Sequence, residues 1–158
     1  MKYLLLIGFL LSFGQNLQAQ DEAQNQQVQK EFLILYSGRD YAKALQYARS
    51  AAKRLQLRLD LRNLKPHPEL GLSDSKKECE DNFGFYPCYL SRGYYPDGAS
   101  LSVEHSSAFP GFRSGYYIVV AAAFPKGDPA LPPLLRKARK AFPDAYLKVS
   151  SVYTGCLH

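Results

Sequence analysis

The residues best suited to chemistry lie in the middle of the chain. Phe83, Phe85, Tyr86, Tyr89, Tyr94, Tyr95, Phe109, Phe112, Tyr116 and Tyr117 crowd a short span that also holds Arg92, Arg113 and several serines. Flat aromatic faces with a few hydrogen-bonding groups suit sugar rings, whose C–H faces are apolar and whose hydroxyls seek partners. The competing reading is an ordinary core for an irregular region, and aromatic side chains dominate such cores. Most of the ten are assigned to that core. Arg92, Tyr94, Tyr95, Arg113 and Tyr116, close to turn residues, are the expected ligand-binding set.

Catalytic arrangements are poorly represented, and the chain is not read as an enzyme. Glu104, His105 and Ser106 are adjacent, and neighbours on a strand point to opposite faces, so they form no relay by themselves. His67 sits in a Pro-rich stretch, and Cys156 with His158 is only a local pair near the end of the chain. Asp40 reads as a helix cap, and Asp60 as the partner of its flanking arginines. No Gly-rich phosphate loop occurs, and no Cys-x-x-Cys or His-x-x-x-His spacing, so neither cofactor nor metal is expected.

Three cysteines, Cys79, Cys88 and Cys156, allow three single pairings. Cys79 with Cys88 is preferred because both flank a segment, 80–87, without strong structure of its own. Closing so short a loop contributes roughly 2–3 kcal/mol. Cys156 is then left unpaired, buried or joined to another chain. A disulfide requires an oxidising compartment, and the first residues agree. Lys2 precedes an apolar run over 3–13 and then Leu17, Gln18 and Ala19, the pattern of a cleavable secretory leader over 1–19. The run is well short of the ~20 residues that span a bilayer. An exported protein, periplasmic or extracellular, with no membrane span after cleavage, is expected.

The Gln-rich segment 20–30 reads as a flexible tether, and 31–158 as a single domain. The chain carries a net charge of +6 at pH 7. Such a field favours anionic surfaces or polymers but is too dispersed to argue for nucleic acid. Arg136, Lys137, Arg139 and Lys140 form a basic helix surface, read chiefly as a solvated face. Nothing in the sequence fixes the oligomeric state.

The elements that would position these residues are more legible. The apolar run at 31–36, stopped by Ser37 and Gly38, predicts a central strand buried on both faces. Tyr41, Leu45, Ala48, Ala52 and Leu55 mark a helix over 41–55 behind the N-cap Asp40. Leu57, Leu59 and Leu61 alternate with charged residues, predicting a strand over 57–62. Residues 63–98 read as an irregular excursion, with a strand at 88–92 and a turn at Pro96, Asp97 and Gly98 leading into a returning strand at Leu101 and Val103. A second strand–helix–strand series follows over 115–124, 134–142 and 145–153. The expected fold class is α+β, a ferredoxin-like βαββαβ sandwich. Its antiparallel sheet carries two helices on one face and an inserted hairpin within an insertion at about 63–115. Right-handed crossovers leave the other sheet face open to a ligand.

The stretch YIVVAAAF at 117–124 resembles the third strand of the sporulation-related repeat, or SPOR, domain. That strand has an aromatic, alternating Val, two small residues and a Phe before the second helix. The run FLILYSG at 32–38 resembles the opening strand less well, because Leu35 stands where the family has Gln and Arg39 where it has Phe. The resemblance covers about 31–62 and 116–155. It implies an envelope protein that binds peptidoglycan glycan strands on the open sheet face. A protein-interaction or inhibitor module acting on another exported protein is the alternative.

Overall fold

Residues 27–155 are described in a computed structural model of the chain. The expected leader, residues 20–26, Cys156 and His158 lie outside them. The apolar runs at 32–35 and 117–123 form the two middle strands, β1 (Gln27–Gly38) and β5 (Tyr117–Pro125). The two pair antiparallel. β1 begins at Gln27, so the last four residues of the segment 20–30 belong to the sheet rather than to a tether. β4 (Gly98–His105) and β6 (Tyr146–Tyr153) flank them, in the order β4-β5-β1-β6, antiparallel throughout.

The helical stripe at 41–55 forms α1 (Tyr41–Leu55), started by Asp40, whose carboxylate accepts from the Lys43 N–H at 3.1 Å. The second main helix, α3 (Leu131–Arg139), begins three residues earlier than 134, because proline is tolerated in a first turn that lacks N–H acceptors anyway. Leu33, Leu35, Val119 and Ala121 of the sheet pack with Ala48, Leu55, Leu131 and Ala138 of the two helices.

Between α1 and β5 the chain departs from expectation. Residues 57–62 form no regular strand. A single parallel bridge joins Leu59 to Leu101, and the Asp60 N–H donates to the Leu101 carbonyl at 2.7 Å. Leu57, Leu59 and Leu61 still face the helix-side core as their alternation requires. Arg62 and Asn63, at φ 50° and 58°, turn the chain away before a ladder can grow. Its place beside β5 goes to β4. Residues 88–92 are not a strand either, so the expected hairpin of 88–104 is absent. The hairpin of the insertion is instead β2 (Lys65–His67) with β3 (Gly71–Ser73). A third helix, α2 (Lys76–Phe83), follows. Ser75 caps it, accepting from the Glu78 N–H at 3.2 Å, and Gly84 at φ 74° ends it. A disulfide, Cys79–Cys88, ties α2 to the next segment, the pairing expected from sequence.

The sheet face away from α1 and α3 is not open. Phe32, Ile34, Ile118, Val120 and Ala123 on that face are at most 1 % exposed. Phe109 and Phe112 of the loop after β4 cover them, with Phe32 edge-on to Phe109 at 5.0 Å. Gly93 crosses close beneath. A Cβ there would lie 2.6 Å from Val152 and 3.1 Å from Phe32, so only glycine lets this chain lie flat on the sheet. The molecule thus has an α+β build in three layers: helices, sheet and the irregular insertion.

Candidate functional site

The covering layer is fastened at Glu104, which alternates with the core residue Val103 on β4 and therefore faces the insertion. It is fully buried. Its carboxylate accepts from the Arg62 guanidinium, from the Tyr89 hydroxyl at 2.6 Å and from the Arg92 backbone N–H at 3.0 Å. The Tyr89 oxygen in turn accepts from the His105 N–H at 3.1 Å, and Arg62 donates to the Leu90 carbonyl at 2.7 Å. Burial, then the Glu104 charge, pushes the Tyr89 hydroxyl well above its ordinary value. Burial lowers Arg62, but the Glu104 charge and hydrogen bond, with Tyr89 and Tyr95, together more than offset it, leaving the guanidinium above its ordinary value. A buried carboxylate with three donors is a structural anchor, since its oxygens are already engaged. The pairing differs from the sequence reading: Asp60 keeps Arg58 at 3.0 Å, while Arg62 crosses to Glu104.

Among the clefts on this layer, two share a wall. The larger, about 500 Å³, is bordered by Leu70, Asn82, Phe83, Phe85, Pro87, Cys88, Tyr89 and Leu90. Its neighbour, about 360 Å³, is bordered by Leu64, Asp74, Asn82, Phe83, Cys88, Leu90, Tyr94 and Tyr95. Asn82, Phe83, Cys88 and Leu90 are the wall common to both, and the disulfide holds that wall in place. Tyr94 and Tyr95 stand edge to face at 6.3 Å, and the Arg62 guanidinium lies 4.8 Å over the Tyr95 ring. Phe85 is 59 % exposed, and Tyr86 and Leu70 are exposed beside it. Both volumes fall within the range of small-ligand sites, and both combine aromatic faces with a few polar groups.

The five ligand-binding residues expected from sequence are not brought together. Tyr94 and Tyr95 border the smaller cleft. Arg92, expected at the surface, is only 7 % exposed and donates to the Gly98 carbonyl at 3.2 Å. Arg113 and Tyr116 lie in a separate hollow with Ser37, Phe112, Tyr146 and Lys148, where the Arg39 and Arg113 guanidinium groups sit 5.2 and 5.6 Å from the Tyr116 ring centre. Leu64, Leu70, Asp74 and Asn82 were missed as wall residues. Their only signal is proximity in sequence to the aromatic cluster. Phe109 is core, as the plainer reading of the aromatics has it.

Glu104, His105 and Ser106 do diverge. The Ser106 hydroxyl accepts from the Tyr116 N–H at 2.9 Å, and His105 Nδ1 pairs with the Ser107 hydroxyl. Burial lowers the His105 pKa, and its ring packs on Tyr117 at 5.2 Å. Among the described residues no group of three or more His, Cys, Asp or Glu is placed to hold a metal ion. No described helix is long and apolar enough to cross a membrane. No protein-family model, no curated protein and no solved structure gives a significant match to this chain.

Proposed function

We propose that the protein is a non-catalytic binding module of the bacterial cell envelope. Its ligand is a glycan, peptidoglycan or a related polymer, held in the paired clefts of the covering layer. The observation that carries this reading is the shared wall. Phe83 and Leu90 offer apolar surface to two adjoining clefts, while Asn82, Asp74 and the two tyrosines offer hydrogen bonds. Successive rings of a polymer fit adjoining clefts better than one compact molecule does. The disulfide agrees with an exported protein.

The strand order β4-β5-β1-β6, with α1 after the first strand and α3 before the last, supports a ferredoxin-like reading of the sheet. The sporulation-related-repeat likeness of 117–124 is kept as part of the proposal. Its usual ligand position is not, because the insertion covers that sheet face. The ligand is therefore assigned to the outer side of the cover. A second reading, an interaction or inhibitor module for another exported protein, draws on exposed Phe85, Tyr86 and Leu70 beside the larger cleft.

Co-sedimentation of the purified protein with cell-wall sacculi across a salt series tests the proposal. Binding that persists at high salt and falls with Phe83→Ala or Tyr94→Ala is the expected result. Binding that vanishes as salt rises reduces the interaction to charge attraction and overturns the glycan reading. Absence of binding at every salt concentration overturns it too and moves the protein partner to first place.

A further inference from the structure

A hollow of about 260 Å³, bordered by Ser37, Phe112, Arg113, Tyr116, Tyr146 and Lys148, lies on the insertion side of the sheet, apart from the aromatic clefts. Its rings are fixed from beneath. The Tyr116 N–H donates to the Ser106 hydroxyl at 2.9 Å, and its carbonyl accepts from the Ser106 N–H at 2.8 Å. Phe112 stands edge-on to Phe32 at 6.5 Å and packs on Phe109 at 5.3 Å. Three cations rest on these two rings. The Arg39 and Arg113 guanidinium carbons lie 5.2 and 5.6 Å from the Tyr116 ring centre, and Lys148 Nζ lies 4.4 Å from that of Phe112.

An aromatic face holds a cation in place through its quadrupole but does not neutralise it. A carboxylate would, and none borders the hollow. The acidic residues nearest in sequence are used elsewhere. Asp40 caps α1, the Asp144 charge acts on Tyr47 beside the helix-side core, and Glu104 is buried among its own donors. Among the described residues, the side chains of Arg39, Arg113 and Lys148 join no ion pair and donate no hydrogen bond. Arg39 and Arg113 are exposed and Lys148 is half-buried, so a ligand from solution can reach them. One guanidinium fork already satisfies the two oxygens of a carboxylate. A phosphoryl group presents three strong acceptor oxygens and about 1.5–2 negative charges near neutral pH, which suits three cations around one hollow.

We propose that this hollow binds a phosphoryl group between Arg39, Arg113 and Lys148, with Tyr116 and Phe112 as the rings that position them. The site does not depend on the glycan reading, because none of these five residues borders the paired clefts. The phosphoryl group comes as free phosphate or as an ester on a larger ligand.

Backbone amide NMR of the purified protein reads the site at Arg113, Tyr116 and Lys148. The titrants are inorganic phosphate and, separately, acetate, at constant ionic strength set with chloride. The expected result is a saturable shift of these amides with phosphate, at a midpoint well below that of acetate. Arg39→Gln with Arg113→Gln removes two cations and should raise the phosphate midpoint about tenfold. Both residues are exposed, so the double variant keeps the fold. Arg136→Gln with Lys140→Gln removes the same charge from the exposed surface at α3 and should leave the midpoint within about twofold. A shift that stays linear in phosphate overturns the proposal, as does an acetate midpoint equal to that of phosphate. Equal weakening by the two double variants overturns it too, because the overall charge of the protein would then be what draws the anion. Titration with a sugar phosphate monoester separates the sources: tighter binding than inorganic phosphate supports an ester on a larger ligand, and equal or weaker binding a free ion.

Discussion

Tyr89→Phe is the sharpest test of how the covering layer is held to the sheet. The substitution deletes one oxygen and leaves the ring that borders the larger cleft. That oxygen donates to Glu104 at 2.6 Å and accepts from the His105 N–H at 3.1 Å, so two buried groups lose a partner together. A hydrogen bond to a charged group contributes about 1.5–3 kcal/mol, and an orphaned buried donor costs about 1–3 kcal/mol. Glu104 retains Arg62 and the Arg92 N–H, which softens the first loss. A destabilisation of roughly 2–4 kcal/mol follows, read by urea unfolding. The partner variant Glu104→Gln closes a double-mutant cycle, and contacting groups in one network should couple by about 1 kcal/mol or more. A loss below about 0.5 kcal/mol with an unchanged m-value would refute the reasoning, since surface substitutions alone produce effects of that size. So would additivity in the cycle, because the two groups would then act independently.

Two glycines separate backbone strain from collision. At Gly71, φ is 77° and an added Cβ would lie 2.1 Å from His105 Cγ; at Gly84, φ is 74° and no atom comes within 4 Å. Gly84→Ala should therefore cost about 1–2 kcal/mol from the left-handed conformation alone, and Gly71→Ala a further 1–3 kcal/mol, roughly, from overpacking. Equal losses in thermal or urea unfolding would show that His105 gives way freely. The same histidine sets a pH dependence. Burial lowers its folded pKa below the ordinary 6.5, so the unfolded chain binds the proton more readily. Its contribution is complete above 6.5 and is lost as pH falls through and below that value. Urea midpoints should thus decline between neutral and mildly acidic pH, and His105→Gln should flatten that decline. An unchanged slope in the variant would assign the effect to other groups.

How much of this was readable in the residues depends on whether a segment has a period. α1 and the two middle strands are fixed by local pattern and by Asp40, and they stand where that pattern puts them. α2 carried a local signature as well, Ser75 with Glu78 three residues on, but its single buried residue, Cys79, gives no apolar stripe. The Arg62–Glu104 pair spans 42 positions and depends on a left-handed turn, and no local rule reaches it.

The covered sheet face is a different case, because its evidence was local and conflicts with an open binding face. Leu33 and Leu35 pack toward the helices, so Phe32 and Ile34 must point the other way. A strand with one wet face shows polar residues at every second position, and neither 32–35 nor 118–123 does. An apolar run in a middle strand thus already requires a second cover, and among the described residues the insertion supplies it. The crowd of aromatics then divides by side. Phe109 and Phe112 lie under the cover, against Phe32, while Phe83, Phe85, Tyr94 and Tyr95 line its outer clefts. Sequence alone cannot make that division, since irregular backbone has no repeat to assign its side chains to a face. The demand for a cover is written in β1 and β5, but the choice of which aromatics supply it is made by long-range contacts at Glu104, Gly93 and the Cys79–Cys88 disulfide.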